Sequence, residues 1–265
     1  MFGMAQDRRD LEETAARVYQ DWQDSPKTGK VWTRTGDIEL DLGTPLGRFE
    51  LLIYAILSGA KVQVSTVDRT FSELRKRGLT KAANLAAVEG DRIESIISVF
   101  RRHYRALTSR QRKADALVEA GVRVLAECAG DIGGAFQLVG GDSDRLLDYI
   151  RGFSGIDLRA YWFCREMKQA GIWPKVSDSV CLAVDAEIKL PLWYLGFVGT
   201  DSYYLRDVST KECLQAIQNY FHGNPFPLLV KSRHWCQKGD SRLCAGQCRV
   251  YEHCQIRFYR SAGCL

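Results

Sequence analysis

Four cysteines near the C-terminal end of the chain constrain it more than any other feature. Cys236, Cys244, Cys248 and Cys254 are separated by seven, three and five residues. Four thiolates this close together can wrap a [4Fe–4S] cluster, since each iron takes one cysteine. Structural zinc sites instead favour two Cys-x2-4-Cys knuckles with a longer spacer between them. These spacings form no such pair, so they favour an iron–sulfur cluster over zinc or a chance group of buried thiols.

The remaining five of the nine cysteines have simpler interpretations. Cys264 is a spare thiol beyond the ligand set, and the other four are predicted to be small buried residues: Cys128, Cys164, Cys181 and Cys213. The N-terminal residues lack the apolar core of a signal peptide, and no run of apolar residues is long enough to span a bilayer. We therefore expect a cytoplasmic protein, nucleoid-associated if the source is prokaryotic, with no membrane partner. In such a reducing compartment, clustered thiols indicate a metal centre rather than disulfides.

Helical periodicity dominates the chain. Residues 8–24 form one amphipathic pattern, residues 25–47 an extended connection, and Phe49–Leu57 an almost wholly apolar helix. Apolar residues then recur at helical spacing from Ile93 to Tyr104 and from Leu117 to Cys128. No run between residues 49 and 170 alternates as a strand does. The sequence therefore predicts an all-α fold.

A glycine-bearing turn separates two helical segments. Gly152-Phe-Ser-Gly155 lies between the helix-like stretches 146–150 and 158–163. Glycine allows backbone N–H groups to approach a phosphate closely at the positive end of the following helix. A plain helical hairpin with no DNA-binding role has the same layout and is far commoner.

Positive charge is concentrated in one part of the chain. The formal net charge is only +5, but seven basic residues and no acidic residue fall between Arg101 and Lys113. This run indicates either a nucleic-acid contact or a solvated helix end.

Taken in order, these motifs resemble the endonuclease III-like branch of the helix-hairpin-helix DNA glycosylase superfamily. That branch ends in Cys-x6-Cys-x2-Cys-x5-Cys, and this chain has one extra residue in each of the first two gaps. Its Leu-Pro-Gly-Val-Gly hairpin is loosely matched here. The resemblance covers residues 48–256, with these landmarks: Phe49–Ile53, Lys113–Ala114, Phe153–Asp157, Trp173–Pro174 and Ala183–Glu187.

The resemblance implies two helical domains. A domain of the six-helix-barrel type would span residues 48–178, with the helix-hairpin-helix near 146–163. Residues 179–265 would form the iron–sulfur cluster domain, against which residues 1–47 pack. The implied cofactor is a structural [4Fe–4S] cluster on the four cysteines, and the implied partner of the monomer is double-stranded DNA.

Asp185 matches the catalytic aspartate of the family. A carboxylate beneath the sugar stabilises the oxocarbenium-like charge that develops as an N-glycosidic bond breaks, and it can activate water. The alternative is an ordinary helix N-cap in Val-Asp-Ala-Glu. Glu187 replaces the histidine that is usual two residues later.

The chain also departs from the family at a decisive position. Bifunctional members carry a nucleophilic lysine in the second helix of the hairpin, where this sequence has Arg159. Arginine stays protonated and cannot form a Schiff base. The resemblance therefore implies a monofunctional glycosylase in base excision repair, and AP-lyase chemistry through that position is disfavoured. Arg159 would instead contact phosphate or the target base.

The remaining DNA contacts are also implied by resemblance. The hairpin would contribute Gly152, Gly155 and Ile156, and Lys61 or Gln63 would fill the gap left by the flipped base. Tyr54 stands where adenine-removing members carry a glutamate. It is therefore a candidate for the base pocket, and adenine is a disfavoured target.

Two alternative functions remain: a glycosylase fold that modifies a base or only binds DNA, and an iron–sulfur electron carrier.

Overall fold

The computed structural model describes residues 8–24, 30–32, 38–58, 62–87, 96, 98, 107–199, 207–231, 248 and 250–254. This part of the chain is mostly helical, which confirms the all-α prediction in its coarse form. The helices are α1 (Arg8–Asp24), α2 (Pro45–Leu57), α3 (Val64–Lys76), α4 (Ala82–Ala86), α5 (Leu107–Cys128), α6 (Ala135–Leu138), α7 (Ser143–Arg151), α8 (Arg159–Gln169), α9 (Ala186–Tyr194), α10 (Thr210–Phe221) and α11 (Phe226–Lys231). Short 3-10 turns occupy Ile132–Gly134, Asp178–Cys181 and Tyr251–His253.

One small sheet departs from the purely helical expectation. Strand β1 (Lys30–Trp32) pairs antiparallel with β2 (Glu39–Asp41), inside the segment expected to be an extended connection. β2 packs closely against the start of α2, where a Cβ on Gly47 would lie 1.8 Å from the Asp41 carbonyl oxygen. Only glycine fits at that contact.

The chain divides into two compact units. One consists of residues 1–26 and 182–265, and the other of residues 27–181. Residues 27–47, which the resemblance implied would pack with the cluster domain, thus belong to the second unit. The packing of β2 on α2 accounts for this difference.

In the unit of residues 27–181, α2 is buried along nearly its whole length. Thr44 caps its first turn by accepting a hydrogen bond from the Gly47 N–H at 3.0 Å, and Pro45 opens the helix, as expected for both residue types. Helices α3, α5 and α8 all contact α2. The buried Arg48 donates to both carboxylate oxygens of Asp131, at 2.7 and 2.6 Å, and to the Leu42 carbonyl.

In the other unit, α1 packs on α10 and α11, so the first helix of the chain contacts two of its late helices. Leu11, Ala15 and Val18 form the buried stripe of α1. The buried Lys231 ammonium contacts the Asp21 carboxylate at 2.7 Å. Among the described residues, no helix combines the length and apolar character that crossing a membrane requires.

Candidate functional site: the turn between α7 and α8

The predicted glycine turn joins two well-formed helices. Asp142 caps α7 by accepting from the Arg145 N–H at 2.9 Å, and α8 begins at Arg159. Phe153 and Ile156 are buried and anchor the turn, whereas Ser154, Gly155, Asp157 and Leu158 are exposed. Leu158 is the most exposed large apolar side chain of the described residues, at 66%.

Backbone N–H groups of the turn fall into two classes. Those of Gly152 and Ile156 donate within the turn, to the carbonyls of Asp148 at 3.0 Å and Phe153 at 3.3 Å. Within the described part of the chain, no acceptor pairs with the N–H groups of Ser154, Gly155, Asp157 and Leu158. The amides of Gly152 and Ile156, which were predicted to contact DNA, therefore donate within the protein instead. Of the three predicted hairpin contacts, Gly155 alone has a backbone N–H group with no acceptor in the described part of the chain.

Left-handed backbone shapes this turn at two positions. Gly155 has φ of +81° and Asp157 has φ of +43°. Glycine adopts this region without penalty, and aspartate is among the few other residues that tolerate it. A methyl group on Gly155 would make ordinary contacts with Ile56 and Ala116, at 3.6 and 3.9 Å. The glycine is therefore explained by its conformation rather than by a lack of space.

The C-terminal end of α2 lies directly beside this turn. The last carbonyls of a helix have no hydrogen-bond partners within the helix, and here two cationic side chains donate hydrogen bonds to the carbonyls at this end. The Lys113 ammonium donates to the carbonyls of Ile56 at 2.6 Å and Leu57 at 3.0 Å. The Arg159 Nε donates to the Ser58 carbonyl at 3.2 Å. We call Lys113, Arg159 and these three carbonyls the α2-end cluster.

This cluster changes the interpretation of Arg159. The resemblance implied that its guanidinium contacts phosphate or base, but the structure gives it a hydrogen bond within the protein that joins α8 to α2. Lys113, half-buried on α5, entered the sequence interpretation as part of the basic run and as a landmark of the resemblance, with no role in the site. Burial lowers the pKa of Lys113 to about 8. Its partners lie 57 and 56 residues away, so sequence spacing carried no signal of the contact.

Arg123 is a second residue that sequence reasoning missed. Its guanidinium lies 4.3 Å from the ring centroids of both Tyr149 and Phe153. A Cβ on Gly152 would lie 3.0 Å from its Nη1. Cation–π contacts of this kind fasten the start of the turn to α5, and the same guanidinium also pairs with the Glu127 carboxylate at 3.1 Å.

Asp185 caps a helix. Its Oδ1 accepts from the Glu187 N–H at 3.0 Å, immediately before α9, and the residue is partly exposed. The helix-cap alternative raised by the sequence thus describes a contact that is present. A carboxylate has about four lone-pair positions, so this cap does not by itself preclude catalysis. Glu187, in the first turn of α9, is buried.

Tyr54 lies inside the helical core. It is 4% exposed, and its hydroxyl donates to the Asp68 carboxylate at 2.7 Å. Its ring contacts those of Phe71 and Trp162, with centroids 5.7 and 6.1 Å away. Packing in the helical core therefore describes the surroundings of Tyr54 better than the pocket wall that the resemblance implies.

The other predicted site residues are only partly described. Gln63 is exposed and precedes the first turn of α3, whereas Lys61 lies outside the described residues. Of the basic run, Arg112 is exposed and Lys113 lies in the α2-end cluster; residues 101–106 are also outside the described part.

Two of the four predicted cluster ligands are described. Cys248 is partly exposed and Cys254 is buried. Tight turns lie between them: the Tyr251 N–H donates to the Cys248 carbonyl and the Cys254 N–H donates to the Tyr251 carbonyl, each at 3.0 Å. Cys236 and Cys244 lie outside the described residues, and the described residues alone contain no group of three metal-binding side chains. As predicted, Cys164, Cys181 and Cys213 are buried, whereas Cys128 is half-buried.

Taken together, the turn presents exposed amides with three partly buried cations beside it (Lys113, Arg159 and Arg123), an arrangement suited to an anionic ligand. No protein-family model matches the chain, and no curated protein or solved structure is significantly similar to it.

Proposed function

We propose that this protein is a monofunctional DNA glycosylase of the helix-hairpin-helix type, which flips a damaged, mismatched or modified base out of the duplex and hydrolyses its N-glycosidic bond. The observation that carries the proposal is the turn at residues 152–158. Its four N–H groups without described acceptors, at the start of an eleven-residue helix, make a phosphate-binding surface. The ordered family-like motifs extend this from anion binding to DNA.

Asp185 is the proposed catalytic residue. Base flipping exposes the sugar carbon to attack, and a carboxylate near it stabilises the developing positive charge and orients the attacking water. The cap contact with the Glu187 N–H supports this role by fixing the orientation of the carboxylate. Arg159 has no nucleophilic lone pair, so base removal proceeds through water.

The [4Fe–4S] cluster belongs to the same proposal. The donor chemistry fits, since Cys248 and Cys254 lie on either side of a compact turn and cysteine thiolates are the ligands of a [4Fe–4S] cluster. Cys236 and Cys244 would complete the set of four. Bound there, the cluster would order a polar segment and hold its basic residues for phosphate contact.

Incubation with duplexes containing uracil, thymine mismatches or modified pyrimidines tests the proposal. We expect base release from at least one of them, with strand breaks appearing only after alkali treatment. Asp185→Asn should abolish release and retain salt-dependent DNA binding. No release across the panel, together with tight binding that Asp185→Asn leaves unchanged, would favour a protein that binds DNA or modifies bases without excising them.

A further inference from the structure

A groove lies along α10, in the unit that begins with α1, and the proposed base excision does not use it. It holds about 830 Å³ between the segment that follows α9 and one face of α10. The helix lines it at positions i, i+3, i+4, i+7 and i+8, which share one face: Glu212, Gln215, Ala216, Asn219 and Tyr220. Ligand pockets occupy roughly 300–1,000 Å³, so the groove has room for more than one side chain of a ligand.

The buried part of the groove lining is apolar. Phe197 and Val198, which follow α9, are buried, and so is Ala216 on α10. The rings of Phe197 and Tyr220 have centroids 5.2 Å apart, and Tyr220 is half-buried. A ligand therefore gains from bringing apolar surface of its own to this part of the groove.

The exposed part of the lining is acidic and polar. Asp207 precedes α10 and Glu212 lies in its first turn, and both residues are exposed, as are Gln215 and Asn219. None of the ten described residues that line the groove is basic, although the chain as a whole has a net charge of +5. DNA phosphate would be repelled by these carboxylates, whereas a cation would be attracted.

Two hydrogen bonds hold the segment that carries the first of these carboxylates. Ser209 caps α10 by accepting from the Glu212 N–H at 3.3 Å. Lys189 Nζ, on α9, donates to the Val208 carbonyl at 2.7 Å, and this lysine is not part of the groove lining. The wall of the groove is thus held in place by contacts within the protein, which lowers the cost of ordering it when a ligand binds.

We propose that this groove binds an arginine-bearing segment of a partner protein. The stem of an arginine covers apolar surface while its guanidinium forms paired hydrogen bonds with a carboxylate such as Glu212 and stacks on an aromatic ring such as Tyr220. The side-chain amides of Gln215 and Asn219 offer both donors and acceptors to the backbone of such a segment. A bare metal ion would leave the apolar lining unused, because hard cations take oxygen ligands.

Fluorescence anisotropy of a labelled peptide with arginine at alternate positions tests the inference. We expect saturable binding that weakens with salt, and little binding of the same peptide with citrulline, which has the shape of arginine without its charge. Glu212→Gln should weaken binding about threefold, as expected for one exposed charge pair. The matched Glu12→Gln, on an exposed residue of α1 in the same unit, should leave the affinity unchanged.

A variant that gains affinity guards against effects of misfolding. Asn219→Asp adds a carboxylate to the groove lining and should tighten binding about twofold or more. Gln218→Glu places the same charge on an exposed position of α10 outside the lining, and it should have a smaller effect.

Several results would overturn the inference. These are no saturable binding of the arginine peptide, equal binding of the citrulline peptide, and equal losses in Glu212→Gln and Glu12→Gln. Spermidine that binds as tightly as the peptide, with the same loss in Glu212→Gln, would identify a small polyamine as the occupant and overturn the assignment to a partner protein. None of these measurements depends on base release or on the turn at residues 152–158, so the inference and the proposed function can fail separately.

Discussion

Two residues of the exposed turn carry opposite consequences for an anionic ligand. Gly155 has a left-handed backbone and presents an N–H group, whereas Asp157 has a left-handed backbone and an exposed carboxylate. A phosphate bound by the turn would be attracted by the first and repelled by the second. Arg123, stacked on Phe153 and paired with the Glu127 carboxylate, lies at the start of the turn.

Gly155→Ala should weaken DNA binding beyond its effect on stability. The substitution forces alanine into a left-handed backbone, at a cost of about 1 kcal/mol, and places a methyl group beside the donor N–H. Gly140→Ala is a matched control, because Gly140 has φ of +76° with open space around it, outside the turn. Fluorescence anisotropy with a duplex should show weaker binding for Gly155→Ala alone, and equal loss for both variants would contradict a role for this amide.

Asp157→Gly should strengthen DNA binding and raise stability. The substitution removes a negative charge from the turn and relieves the left-handed backbone of a residue with a Cβ. Titration at several salt concentrations would show whether affinity rises, and Asp157→Asn would separate the charge from the backbone effect. Weaker binding of both variants would mean that phosphate does not lie here.

The buried Cys181 thiol should make folding sensitive to alkali. Burial raises the pKa of Cys181 from 9.0 to about 12. The unfolded chain loses this proton near pH 9 while the folded chain retains it, so the stabilisation is complete below pH 9 and is lost as pH rises towards 12. Urea unfolding between pH 8 and 10.5 should show a shallower decline for Cys181→Ala than for the natural protein, and parallel curves would contradict the burial.

At the scale of elements, α7 and α8 hold the turn between them, and α2 provides the surface on which it rests. Cationic side chains from two other helices donate hydrogen bonds to the carbonyls at the C-terminal end of α2: Lys113 on α5 and Arg159 on α8. Positive charge is favourable at a helix C-terminus because the helix dipole is negative there. The cluster thus joins three helices beside the turn.

The cap of α7 should contribute measurably to stability. Asp142 accepts a hydrogen bond from the Arg145 N–H, so Asp142→Ala should lower the free energy of unfolding by about 1 kcal/mol. Asp142→Asn keeps an acceptor at the same position and should retain most of this stability. Chemical denaturation compares the two variants, and an equal loss in both would assign the effect to charge instead.

At the scale of the whole molecule, helices late in the chain pack against the first helix. Helix α1 packs with α10 and α11 in the unit that includes the cysteine-rich end, and the buried Lys231 contacts Asp21 across 210 residues of sequence. The other unit carries the turn and the α2-end cluster. Asp185 and the exposed turn therefore belong to different units.

Purified protein should be brown if the proposed cluster is present. A [4Fe–4S] centre absorbs visible light, and Cys254→Ser should remove this absorption together with the bound iron. Cys213→Ser, on a buried cysteine outside the ligand set, serves as the control. A colourless protein that contains zinc would contradict the cluster assignment.

The sequence by itself determined the features that depend on near neighbours. Helical periodicity located α1, α2 and α5, and Gly152–Gly155 located the turn, because side-chain period and glycine conformation act over a few residues. It also raised the cap interpretation of Asp185. The sequence did not show which backbone amides of the turn remain available to a ligand. Gly152 and Ile156 were expected to contribute donors, but their N–H groups form hydrogen bonds within the protein.

Only the tertiary structure decided which distant residues meet. Lys113 and Arg159 reach the end of α2 from 57 and 101 residues away, and Tyr54 finds Asp68 in the core. Such contacts depend on how helices pack, and helical periodicity specifies which face of a helix is buried but not which neighbour covers it. The small sheet formed for the same reason, since three-residue strands carry too little pattern to be recognised without their partner.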